Sequence, residues 1–153
     1  MPRIVAVSLI CLLLPGCQQE SQQAAAHKAH DNYVQAINAN NIDAFTAMLT
    51  DDVALLAAGA KPIVGKAAAR AWAEDYLNSY RTHWDKPVKE FVICADYAFE
   101  RYDYTSTDTP AAGGAPVVDT GWGLVIYHRE SDGVWRVARD AFGPDHPPAA
   151  PAP

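Results

Sequence analysis

The sequence is short of cysteine pairs, basic clusters and long apolar runs, and each shortage removes a class of protein. Its three cysteines are Cys11, Cys17 and Cys94. The first two lie in or just after an N-terminal apolar segment, so Cys94 stands alone and no intramolecular disulfide framework is expected. Cys94 falls inside the strand-like run FVICADYAFERYDY, where it reads as a small buried hydrophobe. The formal net charge is -6 and no basic patch exists. Arg129, Arg136 and Arg139 are the nearest thing to a cluster, each close to an acid, so no nucleic-acid partner is expected. No histidine or cysteine spacing matches a zinc set: His27 and His30 sit at the start of a helix, His83 beside Trp84 in a loop, and His146 in the tail. Neither metal nor cofactor is expected, and no internal repeat is visible.

What is present divides the chain. Residues 1–16, MPRIVAVSLICLLLPG, carry one early positive charge at Arg3 and then an apolar run from Ile4 to Leu14. That run is shorter than the roughly 20 residues of a spanning helix and fits the core of an export signal. Its end, Leu14-Pro15-Gly16-Cys17, resembles a bacterial lipobox, in which Cys17 would carry lipid and anchor an exported, periplasmic protein to a membrane. Residues 17–26 are polar and of low complexity and are expected to form a flexible tether. Residues 144–153, rich in Pro and Ala, are expected to be a disordered tail. One domain is left, residues 27–143, long enough for a single sizeable core.

Within it the apolar period changes once. Ala26, Ala29, Tyr33 and Ile37 make a helical stripe over residues 27–40, and a short helix follows over residues 42–49. A strand over 53–57, a turn at Gly59 to Pro62, a small strand at 63–64 and a helix over 66–80 complete the first half. Alternation then predicts a long or bent strand over 88–104, with Ala95, Tyr97 and Phe99 on one face and Asp96, Ala98, Glu100 and Tyr102 on the other. A Thr/Pro/Gly-rich loop over 105–116 leads to a hairpin over 121–142, turning at Glu130-Ser131-Asp132-Gly133. Strict alternation there sets Trp122, Leu124, Ile126 and His128 against Gly123, Val125 and Tyr127, and Trp135 and Val137 against Arg136, Ala138 and Asp140. Helices in one half and antiparallel strands in the other make an α+β domain.

Several segments in order carry a resemblance: Tyr33-x-x-Ala36-Ile37-Asn38-x-x-Asn41-Ile42-Asp43-x-Phe45, Leu49-Thr50-Asp51-Asp52-Val53-Ala54-Leu55-Leu56, Pro62-x-x-Gly65-Lys66-x-Ala68 and Asp132-Gly133-x-Trp135-x-Val137-x-Arg139-Asp140. Over residues 27–143 the chain resembles the nuclear transport factor 2-like superfamily, and within it the SnoaL-like or DUF4440 group related to ketosteroid isomerase. The resemblance implies a cone of three helices against a strongly curved, mixed, mostly antiparallel sheet. It further implies a ligand pocket inside the cone and homodimerisation through the sheet. It does not imply ketosteroid isomerase chemistry. The oxyanion-hole tyrosine of that enzyme matches Tyr33, but its general base falls near Ala57 and its protonated Asp near Gly123 or Leu124. Proton abstraction beside a carbonyl needs both a base and donors.

Asp140 is the residue to explain. A carboxylate among bulky aromatics late in a strand is expensive unless it meets solvent, a partner or a polar cavity. The candidates for acid/base work are Asp140 and Asp96, with Tyr33 as hydrogen-bond donor; the alternative for Asp140 is a structural pair with Arg136, Arg139 or a helix end. Tyr33, Ile37, Trp72, Tyr97, Trp122, Ala138, Asp140 and Phe142 are the expected pocket wall, suited to a small apolar or aromatic ligand. Three functions fit: a small-molecule-binding domain, a small-molecule isomerase, cyclase or hydratase, and a non-catalytic dimerising module. A cavity filled by Trp72, Trp122 and Trp135 would favour the last.

Overall fold

The computed structural model describes residues 15–146. Its elements run α1 (Pro15–Asn38), α2 (Ile42–Ala47), β1 (Leu49–Ala57), β2 (Ile63–Val64), α3 (Lys66–Ser79), β3 (Tyr80–Asp85), β4 (Val88–Cys94), β5 (Tyr97–Pro110), β6 (Val117–Arg129) and β7 (Trp135–Pro144). Residues 1–14 of the expected signal (1–16) and residues 147–153 of the expected tail (144–153) lie outside the described residues. The three helices precede most of a seven-stranded sheet ordered β2-β1-β7-β6-β5-β3, with β4 also on β5. Only β1 and β7 pair in parallel; every other pair is antiparallel. The architecture is the α+β, mostly antiparallel curved sheet that the sequence implies.

Element boundaries differ in several places. Helix α1 reaches back to Pro15, so the expected tether is helical, and Ala26 is wholly buried in the core. Gln, Glu and Ala are good helix formers, and a polar, low-complexity stretch made of them need not be a coil. Strand β3, with His83 in it, was expected to be loop; β5 likewise continues to Pro110 through Thr and Ser residues that suit a strand. β3 and β4 pair with successive halves of β5, and Lys86-Pro87 forms the break between them. Proline, lacking an N–H, is suited to such an interruption. The two residues between β4 and β5, Ala95 and Asp96, make a tight turn, and Cys94 next to it is exposed rather than buried. Strand β7 runs two residues past Phe142 before the chain leaves the sheet.

The phase of the central strands decides which side chains enter the cone. On β5 the inner face is Ala98, Glu100, Tyr102, Tyr104 and Ser106, all buried, which exposes Tyr97 and Phe99. On β6 the inner face is Gly121, Gly123, Val125 and Tyr127, and Trp122 is 59% exposed on the outside. Trp122 and Leu124 of the hairpin therefore lie on its outer face. Together with Val92, Val118 and Leu124, the side chains of Tyr97, Phe99 and Trp122 give the outer sheet surface an apolar character.

Strand β7 changes phase part-way. Tyr127 pairs with Val137 but its neighbour Ile126 pairs with Arg139, leaving Ala138 as an extra residue. This bulge puts Trp135 and Val137, then Asp140, on the buried side. β1 bows at the same level, where its register to β7 jumps between Leu49 and Ala54. Arg139 bridges the bow through Nη1 to the Asp52 carbonyl at 3.0 Å and Nη2 to Oδ2 at 3.1 Å. Strict alternation would have kept Asp140 opposite Trp135; the bulge brings them to one face.

Candidate functional site

The cone holds a cavity of about 180 Å³ that opens to solvent. Tyr33, Ala36 and Ile37 line it from α1, Phe45 from α2, and Trp72, Ala73, Tyr76 and Leu77 from α3. The sheet supplies Leu55 and Ala57 from β1, Thr82 and Trp84 from β3, Lys86 from the break, and Asp140 and Phe142 from β7. The helical contributions follow from spacing: 33, 36 and 37 share one face of α1, and 69, 73, 76 and 77 one face of α3. Trp72, which is 37% exposed, lines the cavity and also meets solvent. Trp72 and Tyr76 stack with centroids 5.4 Å apart.

Asp140 stands at the polar end of this apolar space, 3% exposed. The Tyr33 hydroxyl donates to its Oδ2 at 2.9 Å and the Tyr102 hydroxyl to its Oδ1 at 2.8 Å. Nζ of Lys86 is 3.6 Å from Oδ2, with both side chains almost wholly buried. The Lys86 cation also lies 3.8 Å from the centroid of Tyr102 and 4.8 Å from that of Tyr33, where the ring faces favour positive charge. Burial, and then the negative charge of Asp140, push the Tyr33 and Tyr102 hydroxyls well above the ordinary tyrosine range, so both remain donors.

Tyr102 reaches Asp140 because β6 has no side chain in the way. A Cβ on Gly123 would lie 2.3 Å from Cζ and the hydroxyl oxygen of Tyr102, and one on Gly121 would lie 2.6 Å from the Tyr104 ring. The Gly-x-Gly of β6 is thus a bed for two tyrosines from β5.

A second buried acid lies beside the first. Glu100 is fully buried; its Oε1 faces Nδ1 of His30 at 2.9 Å and its Oε2 accepts from the Tyr127 hydroxyl at 2.8 Å. Glu100, Val125 and Asp140 are level across β5, β6 and β7, so Val125 separates the two carboxylates. Burial followed by the charge of Glu100 drives the Tyr127 hydroxyl upward as well.

Of the residues expected at the site, the structure brings Tyr33, Ile37, Trp72, Asp140 and Phe142 together. It places four others elsewhere. Tyr97 is 46% exposed and stacks on His128 outside the cone. Trp122 is on the outer face, for the phase reason given above. Ala138 is the bulge residue, buried but not in the cavity wall. Asp96 is not near the cavity either: it sits in the β4–β5 turn, exposed, and pairs with Arg129. The alternative pairing of Asp140 with an arginine does not occur, since Arg136 engages Glu130 and Asp132 and Arg139 engages Asp52. Two residues were missed. Glu100 could have been found as an acid sharing an inner face with Tyr102; Lys86, one basic residue before a proline, gave no signal. Among the described residues no group of three His, Cys, Asp or Glu side chains could hold a metal ion.

A family model for the SnoaL-like domain matches residues 30–138. The chain belongs to the SnoaL-like family. Among solved structures it is similar to a ketosteroid isomerase-like protein from Erwinia carotovora atroseptica, with 27% identity, a TM-score of 0.73, and 81% of this chain and 96% of that one covered. It is similar to a conserved protein from Planctomyces limnophilus at 26% identity and TM-score 0.74, again over 81% and 96% of the two chains. An NTF2-like protein with a cystatin-like fold from Novosphingobium aromaticivorans shares the fold at 14% identity and TM-score 0.73, over 93% of this chain and 95% of its own. No curated protein matches the chain. The family match and the ketosteroid isomerase-like neighbour agree with the superfamily that the sequence motifs imply.

Proposed function

We propose that this SnoaL-like domain binds a small, mostly apolar molecule in the cone, oriented by the polar group formed around Asp140. The observation that carries this reading is an apolar, aromatic-walled cavity that ends on a buried carboxylate. Trp122 is outside, Trp135 lies in the core beneath, and Trp72 lines the cavity while leaving it open, which weighs against a purely structural module. Toluene titrated into the labelled protein is expected to shift amide resonances of α1, α3 and β7. Replacing Ala73 with Trp, which fills the space, should abolish those shifts. A protein that shows no shifts, or shifts confined to the outer sheet face, would exclude the reading.

A second reading, acid/base catalysis, is favoured by the way Asp140 is held: inward by the bulge, fixed by two hydroxyls and paired with a cation. A base so placed can exchange a proton next to a ligand carbonyl. Deuterium incorporation at the α-carbon of a ketone should run above the buffer rate and fall about 100-fold or more in Asp140→Asn. Exchange at the buffer rate in the unmutated protein would remove catalysis and leave binding standing.

The N-terminal pattern supports export and anchoring through Cys17. Cys17→Ser should move the protein from the membrane fraction to the soluble fraction, and unchanged fractionation would refute the anchor. The exposed apolar outer face of the sheet suits a second copy of the chain, which sedimentation would report as twice the monomer mass; a purely monomeric boundary would count against it.

A further inference from the structure

Among the polar side chains that line the cavity, nearly every donor is already engaged. Tyr33 donates to Asp140, and Nε1 of Trp84 donates to Oγ1 of Thr82 at 2.9 Å. The Tyr76 hydroxyl is held between Asp108 and Thr82. Asp140 offers only acceptor atoms, and each of its oxygens already receives a tyrosine hydroxyl. Lys86 differs. Its side chain is 1% exposed, its partner oxygen on Asp140 is at 3.6 Å, beyond hydrogen-bond distance, and the two tyrosine faces near it accept no conventional hydrogen bond. An ammonium has three N–H groups, so the cavity presents a buried cation with donors to spare.

We infer that the ligand is a neutral, single-ring carbonyl compound whose oxygen accepts a hydrogen bond from Lys86. Three observations lead there. The spare donors call for an acceptor on the ligand. The acceptor is neutral because a carboxylate at Lys86 would be a second buried anion beside Asp140, with Glu100 one strand beyond Val125, and like charges in one buried site oppose each other. The size follows from the cavity of about 180 Å³, since an apolar cavity of about 150 Å³ holds benzene. That space suits one ring with a short substituent. Trp72, Tyr76 and Phe45 provide faces for the ring.

This inference rests on the pocket reading above, and the test separates the two. Dissociation constants of the full-length chain would be measured for ethylbenzene, acetophenone and benzoate, which share a ring and differ in the polar group. Acetophenone should bind about tenfold or more tighter than ethylbenzene, the increment expected of a hydrogen bond to a charged donor, and tighter than benzoate. In Lys86→Met the acetophenone preference should disappear while ethylbenzene still binds. If none of the three binds, the pocket reading itself fails. If ethylbenzene binds as tightly as acetophenone, or the preference survives in Lys86→Met, the pocket stands and the role of Lys86 is overturned; tighter binding of benzoate overturns the neutral class. Should Lys86→Met fail to fold, the infrared carbonyl stretch of carbon-13-labelled acetophenone on the unmutated protein decides. A band lowered relative to the ketone in an apolar solvent supports the bond, and an unshifted band overturns it.

Discussion

Replacing Gly123 with alanine is expected to destabilise the protein by about 3 to 5 kcal/mol, although it adds one methyl group. The methyl carbon would lie 2.3 Å from the Tyr102 ring and 2.8 Å from the Ala141 carbonyl oxygen. The carbonyl belongs to the β6–β7 ladder and cannot withdraw without breaking it. The ring is fully buried, with Lys86 over one face, so it can move only at the expense of its own contacts. Something must give, and the least constrained motion lifts Tyr102 off Asp140. The overpacking strain and the loss of a hydrogen bond to a charged acceptor then add. Chemical denaturation should show a lowered midpoint with an unchanged slope. In a Tyr102→Ala background the same substitution should cost far less, because the ring is gone. A Gly123→Ala protein as stable as its parent would show that the close approach of ring and backbone is not real.

The same position marks the boundary of what the sequence discloses. Fold class was legible because it depends on period: helical stripes at Tyr33 and Ile37, alternation in β5 and β6, and a turn whose Gly133 takes a positive φ of 81°. The identity of the inner face was not, because period is blind to sign. A strand that alternates Trp122, Leu124 and Ile126 with Gly121, Gly123 and Val125 looks as if the bulkier set faces the core. Here β5 contributes the inward tyrosines and β6 supplies the glycines that make room for them, so Trp122 and Leu124 are left outside. That is a relation between two strands, and no single stretch of residues states it. The same holds for Asp140. Its importance showed in its chemistry, a carboxylate among aromatics, but its direction is set by one extra residue at Ala138, and a bulge shifts phase without changing composition. Asp96, which alternation placed on one face with Glu100 and Tyr102, ended in a turn because the long strand folds back between Cys94 and Tyr97.

Lys86 was the least legible residue and carries the other large expected effect. Replacing it with methionine should cost about 3 to 5 kcal/mol, the usual result of removing one partner from a buried charge pair. The shape of the side chain is nearly kept, so the loss would measure the stranding of Asp140 rather than a cavity. Two tyrosine hydroxyls would still reach that carboxylate, but hydroxyl dipoles alone compensate a buried charge poorly in an apolar surround. A cycle with Asp140→Asn separates the contributions. The double variant removes both charges and should recover most of the stability lost by Lys86→Met, giving a coupling of about 2 kcal/mol or more. The alternative is that Lys86 is held mainly by the faces of Tyr33 and Tyr102 and scarcely senses Asp140. In that case the two substitutions would add without coupling, and the 3.6 Å separation would mean proximity rather than partnership. The distinction bears on function, because a cation that balances Asp140 while keeping its N–H groups free can meet a ligand oxygen and stabilise charge that develops on it. A cation bound only to aromatic faces would leave the carboxylate unbalanced at the end of the cavity.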